Sequence, residues 1–288
     1  MENIKPQMSP QNPLKQYFRG IKMYMRLPSG THYYDKNAID FNEAGEVGIM
    51  AMTGNDELIL KNPDALLNGE ALVEVIKSCA PSIKNPKVLL TNDIDALITA
   101  IRHVTYQDNL ESKVKCPACE FENKFKLNLQ HAIDTMTFLE DEYVIHLENE
   151  LSVYVKPLAF PEIIKSLHAQ FENSKLVKSI QNEKISEEEK LKIFGKVFKD
   201  AAKLNVELVS TSIIKIINES QNIEVTDKKH IFDFLQNVDI STVEKINELI
   251  KEINLIGIQK THEATCEKCN HKWNSDIDLN PVNFSLGL

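Results

Sequence analysis

The chain has 288 residues, enough for one large domain or two modest ones, and 42% hydrophobic with 26% charged content suits a soluble globular protein. A net charge of −9 argues against a general nucleic-acid binder, because neutralising phosphates takes a lysine and arginine surplus. The opening stretch lacks the apolar run of a secretory signal, and no segment approaches the ~18 apolar residues of a membrane span. A reducing compartment is therefore expected, with the five cysteines as thiols.

Residues 1–20 are polar and proline-bearing, and read as a flexible N-terminal arm. Met23 to Tyr34 alternates and then turns at Pro28-Ser29-Gly30, and Glu46 to Met52 reads as a strand. Apolar residues at Leu66, Leu67, Ala71, Leu72, Val75 and Ile76 predict a helix from Asp64 to Cys79, with Cys79 a buried, inert thiol. A second helix is expected over Asp93–Tyr106, capped by Asn92 or Asp93. Residues 111–129 alternate as strands, and Glu148-Asn149-Glu150 reads as the turn of a hairpin joining Tyr143–Leu147 to Leu151–Val155. From Pro161 to about Ile256 the periodicity is helical. Five helices are expected near 161–180, 186–203, 206–219, 227–237 and 241–254, two opened by Ser-x-x-Glu boxes at Ser186/Glu189 and Ser241/Glu244.

Four of the cysteines form two Cys-x-x-Cys pairs, Cys116 with Cys119 and Cys266 with Cys269. Each pair is followed by aromatics (Phe121 and Phe125, or Trp273) and an alternating strand, a weak internal repeat of one β-hairpin with two thiols at its tip. A two-residue gap lets one tight turn aim both sulfurs at one ion, and two facing turns make a closed four-thiolate site with no open position for water. The expectation is one structural Zn2+ per chain held by Cys116, Cys119, Cys266 and Cys269, closing a zinc ribbon interrupted by a long excursion. A thioredoxin-like redox pair and an accidental pairing are the competing readings. The first would need a Cys-x-x-Cys opening a helix, whereas both pairs sit in strand-like surroundings. Asn270 suits the left-handed position after a knuckle's second cysteine, Glu120 suits it poorly, and His262 and His271 read as neighbours of the site rather than ligands.

The resulting fold class is α+β: a split zinc-ribbon β region with an N-terminal α/β segment and an all-α helical insert. The expected division is the arm at 1–20, an α/β base at 21–157 with the first knuckle and the hairpin, a helical insert at 158–257, and the second knuckle and tail at 258–288. No Gly-rich phosphate loop, H-E-x-x-H or G-x-S-x-G occurs, so no catalytic residue is expected.

Leu27-Pro28-Ser29-Gly30 with Tyr33-Tyr34, Met52-Thr53 with Asp56-Glu57, Asn62 to Gly69, Val75 to Cys79, Asp93 to Leu97, Ile101-Arg102, the Cys116 pair and the ending Leu279 to Phe284 form a set. Together they resemble the baseplate hub proteins of T-even-type contractile-tailed bacteriophages. The resemblance implies a tail baseplate hub component or a hub/tail assembly chaperone. It would act through contacts with other hub or tape-measure proteins, without enzymatic activity and without a membrane, in the host cytoplasm during assembly or in the virion tail. Apolar helix faces such as Ile213, Ile214, Ile216 and Ile217 would make the contact if they exceed what the core can bury; the other reading is that they are wholly core. The alternative is a zinc-ribbon nucleic-acid-binding regulator, using Lys113, Lys115, Lys124 and Lys126 as a local basic strand face.

Overall fold

The computed structural model describes residues 13–62, 65–66, 68–106, 110–182 and 186–276. These fold as α+β around two separate hydrophobic cores. The first core is built on an antiparallel pair, β1 (Ile21–Arg26) with β2 (Glu46–Met50), which buries Met25, Val47 and Ile49. Three helices cover it: α1 (Gly54–Leu60), α2 (Glu70–Cys79) and α3 (Thr91–Tyr106). Cys79 is fully buried there, and burial pushes its thiol up to about 11.

The helix expected over Asp64–Cys79 is interrupted: Ala65 and Leu66 are helical, and a new helix starts at Glu70. Gly69 stands at the N-cap of α2 with φ 76°, a left-handed conformation that breaks helical continuity with the residues before it. The sequence reading also missed α1, a short helix held by a capping box in which Thr53 and Asp56 exchange side chain-to-backbone hydrogen bonds. Residue 13 is the first described residue of the N-terminal arm. Pro13–Tyr17 makes one 3-10 turn, and the Arg19 guanidinium then donates to Asp56 (3.1 Å), to the carbonyl of Ser78 (2.8 Å) and to the carbonyl of Ala51. The arm is thus pinned where it enters the base.

Neither Asn92 nor Asp93 caps α3; both lie in its first turn and reach elsewhere. Asp93 is completely buried and accepts hydrogen bonds from the Ser29 backbone N–H (2.9 Å), the Ser29 hydroxyl (2.6 Å) and the Tyr34 hydroxyl. The Tyr34 oxygen in turn accepts from the Leu90 N–H at 2.8 Å. The Leu27–Gly30 turn and the Asp93 segment, far apart in sequence, are therefore one buried joint. Burial raises the Asp93 carboxyl to about 6; the Ser29 and Tyr34 hydrogen bonds only partly counter it.

The second core belongs to the excursion. The hairpin β5 (Tyr143–His146) and β6 (Leu151–Val155) does not extend the base but pairs onward with β7 (Ile213–Asn218) and β8 (Ile223–Val225), giving an antiparallel sheet in the order β5-β6-β7-β8. Its turn lies where the sequence placed it, with Glu150 at φ 58°. After α4 (Leu129–Asp134) in the base, the excursion supplies α5 (Phe160–Asn182), α6 (Glu187–Ser212), α7 (Lys228–Asn237) and α8 (Ile240–Asn254). Val153, Val155, Ile213 and Ile216 from the sheet pack with Ile231 and Leu235 of α7 and with Ile246, Ile250 and Ile253 of α8.

The insert is accordingly not all helical. α6 runs unbroken through the expected break at 203–206, and Ile213–Asn218 is a strand rather than part of a helix. The cause of the misreading is visible in the register: Tyr154 faces Lys215 while Val155 faces Ile213, so a bulge leaves Ile214 unpaired. Ile213 and Ile216 both turn inward at a three-residue spacing that imitates a helix. The Ser186/Glu189 capping box is present, but α8 is capped by Asp239, which accepts from the Thr242 N–H, and not by Ser241.

The two bodies meet at a neck. Asn92 donates its amide to the carbonyls of Ile253 (2.8 Å) and Ile256 (2.6 Å) at the end of α8, and the Thr91 N–H donates to Leu158 at 2.9 Å. The Phe160 N–H reaches the Leu89 carbonyl (2.9 Å), and Thr137 and Gly257 exchange backbone and side-chain hydrogen bonds.

Candidate metal centre

Two β-hairpins carry the cysteine pairs. The first is β3 (Leu110–Lys115) with β4 (Glu122–Leu127); the second is β9 (Thr261–Thr265) with β10 (Lys272–Asp276). Their tips are the same structure twice. The Cys116 N–H donates to Phe121 and the Glu120 N–H to Cys116, as the Cys266 N–H donates to His271 and the Asn270 N–H to Cys266, all four at 2.9 Å. Glu120 and Asn270 both take φ 57°, the left-handed turn that points two sulfurs to one side.

The hairpins face each other, and the four Sγ atoms of Cys116, Cys119, Cys266 and Cys269 all lie within 4.8 Å of one another. Cys116 and Cys269 are 3.7 Å apart, and Cys119 and Cys266 are 3.6 Å apart. A disulfide would need about 2.05 Å. A tetrahedron with ~2.3 Å metal–sulfur arms has edges of ~3.8 Å, so the donor set and its spacing fit a four-thiolate metal site. Cys116 and Cys266 are buried, Cys119 is half-buried and Cys269 exposed.

The charges point the same way. Burial works against a thiolate at Cys266, but the N–H groups of Cys269 and Lys268 and the neighbouring thiols outweigh it and bring the group down to about 6. At Cys269 the His271 N–H favours the thiolate, yet the thiols of Cys119, Cys266 and Cys116 together with burial push it up to about 12. One thiolate is welcome in this cluster and a second is costly, so four deprotonated sulfurs require a cation between them.

Asn123 was missed by the sequence reading. It is buried beside the cluster, where it donates to the Phe121 carbonyl (3.0 Å), approaches the Cys266 sulfur (3.7 Å) and accepts from the Glu267 N–H (3.0 Å). One side chain thus ties the first hairpin to the second. Its counterpart in the repeat, also four residues past the second cysteine, is Trp273, whose indole packs edge-on to Phe125 at 6.1 Å. His271 stacks on Trp273, and His262 lies edge-on to Phe125; both rings stand apart from the four-sulfur cluster. Lys113, Lys115, Lys124 and Lys126 are exposed on the β3–β4 hairpin, but the register sets Glu122 opposite Lys115 and Glu111 opposite Lys126. The basic face is therefore interleaved with acids.

A family model described as T4 bacteriophage base plate protein matches residues 41–283, which spans both knuckles and everything between them. The chain belongs to that family. No curated protein and no solved structure matches it. As a member, this baseplate protein is a component of a phage tail baseplate, and its partners are other baseplate proteins. The family resemblance read from the Asp93–Leu97 segment agrees with the family match, whereas Leu27–Gly30 lies before the matched residues; the two segments are the halves of the Asp93 joint. The Leu279–Phe284 segment lies outside the described residues. Among the described residues, no helix is long and apolar enough to cross a membrane.

Proposed function

We propose that this baseplate protein is a hub component or a hub/tail assembly chaperone, acting by protein–protein contact and not by catalysis, with one structural Zn2+ held by Cys116, Cys119, Cys266 and Cys269. The carrying observation is the convergence of four cysteine sulfurs, drawn from both sides of the excursion, to within 4.8 Å. Four thiolates complete a tetrahedral zinc shell and leave no place for a reacting water, which favours a structural role. The ion supplies charge neutralisation. The residues do the rest: Glu120 and Asn270 turn the knuckles, Asn123 ties them together, and the neck at Asn92 sets the excursion on the base. Assembly in the host cytoplasm, among hub and tape-measure proteins, fits this reading.

Two measurements test it. Metal analysis of the purified chain is expected to give one zinc per molecule, falling to none in Cys116→Ser; a ratio far from one overturns the zinc assignment. Co-expression with the hub and tape-measure proteins of the same phage is expected to yield a stable complex, and failure with all of them overturns the hub role.

A further inference from the structure

Helix α6 carries more apolar surface than its fold uses. Ile193, Val197, Leu204 and Leu208 recur at helical spacing and are half-buried, and one such stripe suffices to pair α6 with α5. A second stripe, Leu191, Phe194 and Phe198, lies on a different face and is left in solvent, with Leu191 71% and Phe198 72% exposed. On α5, Leu167 and Phe171, one turn apart, are exposed as well. A basic stripe runs more than a third of a turn farther round the helix. Lys192, Lys196, Lys199 and Lys203, spaced by four, three and four residues, share a face and are all exposed. Lys190 and Lys192 are paired with Glu187 (2.7 Å) and Glu188 (3.0 Å) of the helix's first turn, which leaves Lys196, Lys199 and Lys203 for a partner.

Gly195 sits between the two stripes. Glycine weakens a helix interior, and nothing in this fold demands it there: a Cβ at Gly195 would meet no atom within 4 Å. A glycine on an open helix face permits another backbone to approach closely.

We propose that this face of α6 docks an amphipathic helix of another baseplate protein, one whose apolar stripe is flanked by aspartate and glutamate. Phe194, Phe198 and Leu191 supply the apolar contact, Gly195 admits the close approach, and Lys196, Lys199 and Lys203 select the acidic flank. A second copy of this chain is a poorer occupant, because an antiparallel pair packed through the stripe would set lysine flank against lysine flank. The inference rests on the assembly reading above and names the surface and partner chemistry that reading leaves open.

The test uses the full-length chain co-expressed with each hub and tape-measure protein of the same phage. The variants are Phe198→Glu, the pair Lys196→Glu and Lys203→Glu, and the helix-favouring Gly195→Gln, all at exposed positions where circular dichroism and thermal unfolding should show an intact fold. Phe198→Glu is expected to weaken the complex at least tenfold, and Gly195→Gln several-fold. The lysine pair should lower affinity several-fold and flatten its salt dependence. A photo-crosslinking residue in place of Phe198 should label an acidic amphipathic segment of the partner. If the parent forms no complex with any of these proteins, the assembly reading falls and this surface falls with it. If the parent binds and Phe198→Glu binds equally well, only this surface is overturned. It is likewise overturned if the stripe instead mediates a dimer of the chain that Phe198→Glu splits, or if its one demonstrable ligand is a vesicle of phosphatidylglycerol.

Discussion

Glu120 and Asn270 occupy the same left-handed position in the two knuckles, but an asparagine tolerates that backbone and a glutamate is strained by it. Glu120→Gly should therefore raise stability by about 0.5–1 kcal/mol, the released strain less the extra unfolded-state entropy of glycine. Asn270→Gly should gain less, and urea unfolding of the two variants side by side checks the difference. Asp93 gives a pH signature. Its carboxyl sits near 6 in the fold against an ordinary value of 3.8, so the folded state holds a proton that the unfolded chain has released between about pH 4 and pH 6. The stability it contributes is fully present below pH 4 and is lost as pH rises through 6. Asp93→Asn cannot lose that proton, so its stability relative to the parent should climb by about 2 kcal/mol between pH 4 and pH 7. Parallel curves for the two proteins would contradict the buried joint. The meeting of the four cysteines was legible in the sequence, but the contacts of Asp93 and Asn123 were not. A Cys-x-x-Cys pair announces its chemistry by spacing alone, whereas the role of an Asn or Asp depends on partners such as Ser29 and Glu267 that lie 64 and 144 residues away.

At the scale of elements, Gly69 marks where the base touches the hairpin of α5 and α6. A Cβ there would come within 2.4 Å of Ile164 Cδ1 and 2.7 Å of Phe160 Cζ, on a backbone already at φ 76°. Gly69→Ala should cost about 2–4 kcal/mol, combining left-handed strain with overpacking. Gly54→Ala, where a Cβ meets nothing, should change little. Thermal unfolding of the two variants makes the comparison. The hairpins were readable because alternation and turn residues are local, and α5, α7 and α8 because their apolar positions repeat over ten residues or more. Two of the elements that were not readable show why. α1 spans seven residues, too few for periodicity to declare itself, and depends on the Thr53–Asp56 box. β7 hides behind a bulge whose existence is decided by β6, a strand some sixty residues earlier.

At the scale of the whole molecule, two cores joined at a neck predict two responses to loss of the metal. Treatment with a chelator, or Cys266→Ser, should lower amide protection first in β3–β4 and β9–β10, and should leave the core around Ile213, Ile231 and Ile246 protected. Hydrogen exchange reads this directly, and simultaneous loss across both cores would refute the division. The separation of the cysteine pairs has a further consequence during synthesis. Cys119 leaves the ribosome 147 residues before Cys266, so throughout translation of the excursion the first knuckle offers two thiols and half a site. The excursion can collapse around its own core in that interval, but the base cannot lock until the second knuckle arrives. If the proposed zinc is bound, its capture reports that translation has passed Cys269, and a prematurely terminated chain would present the baseplate with an unlocked base beneath the proposed α6 face.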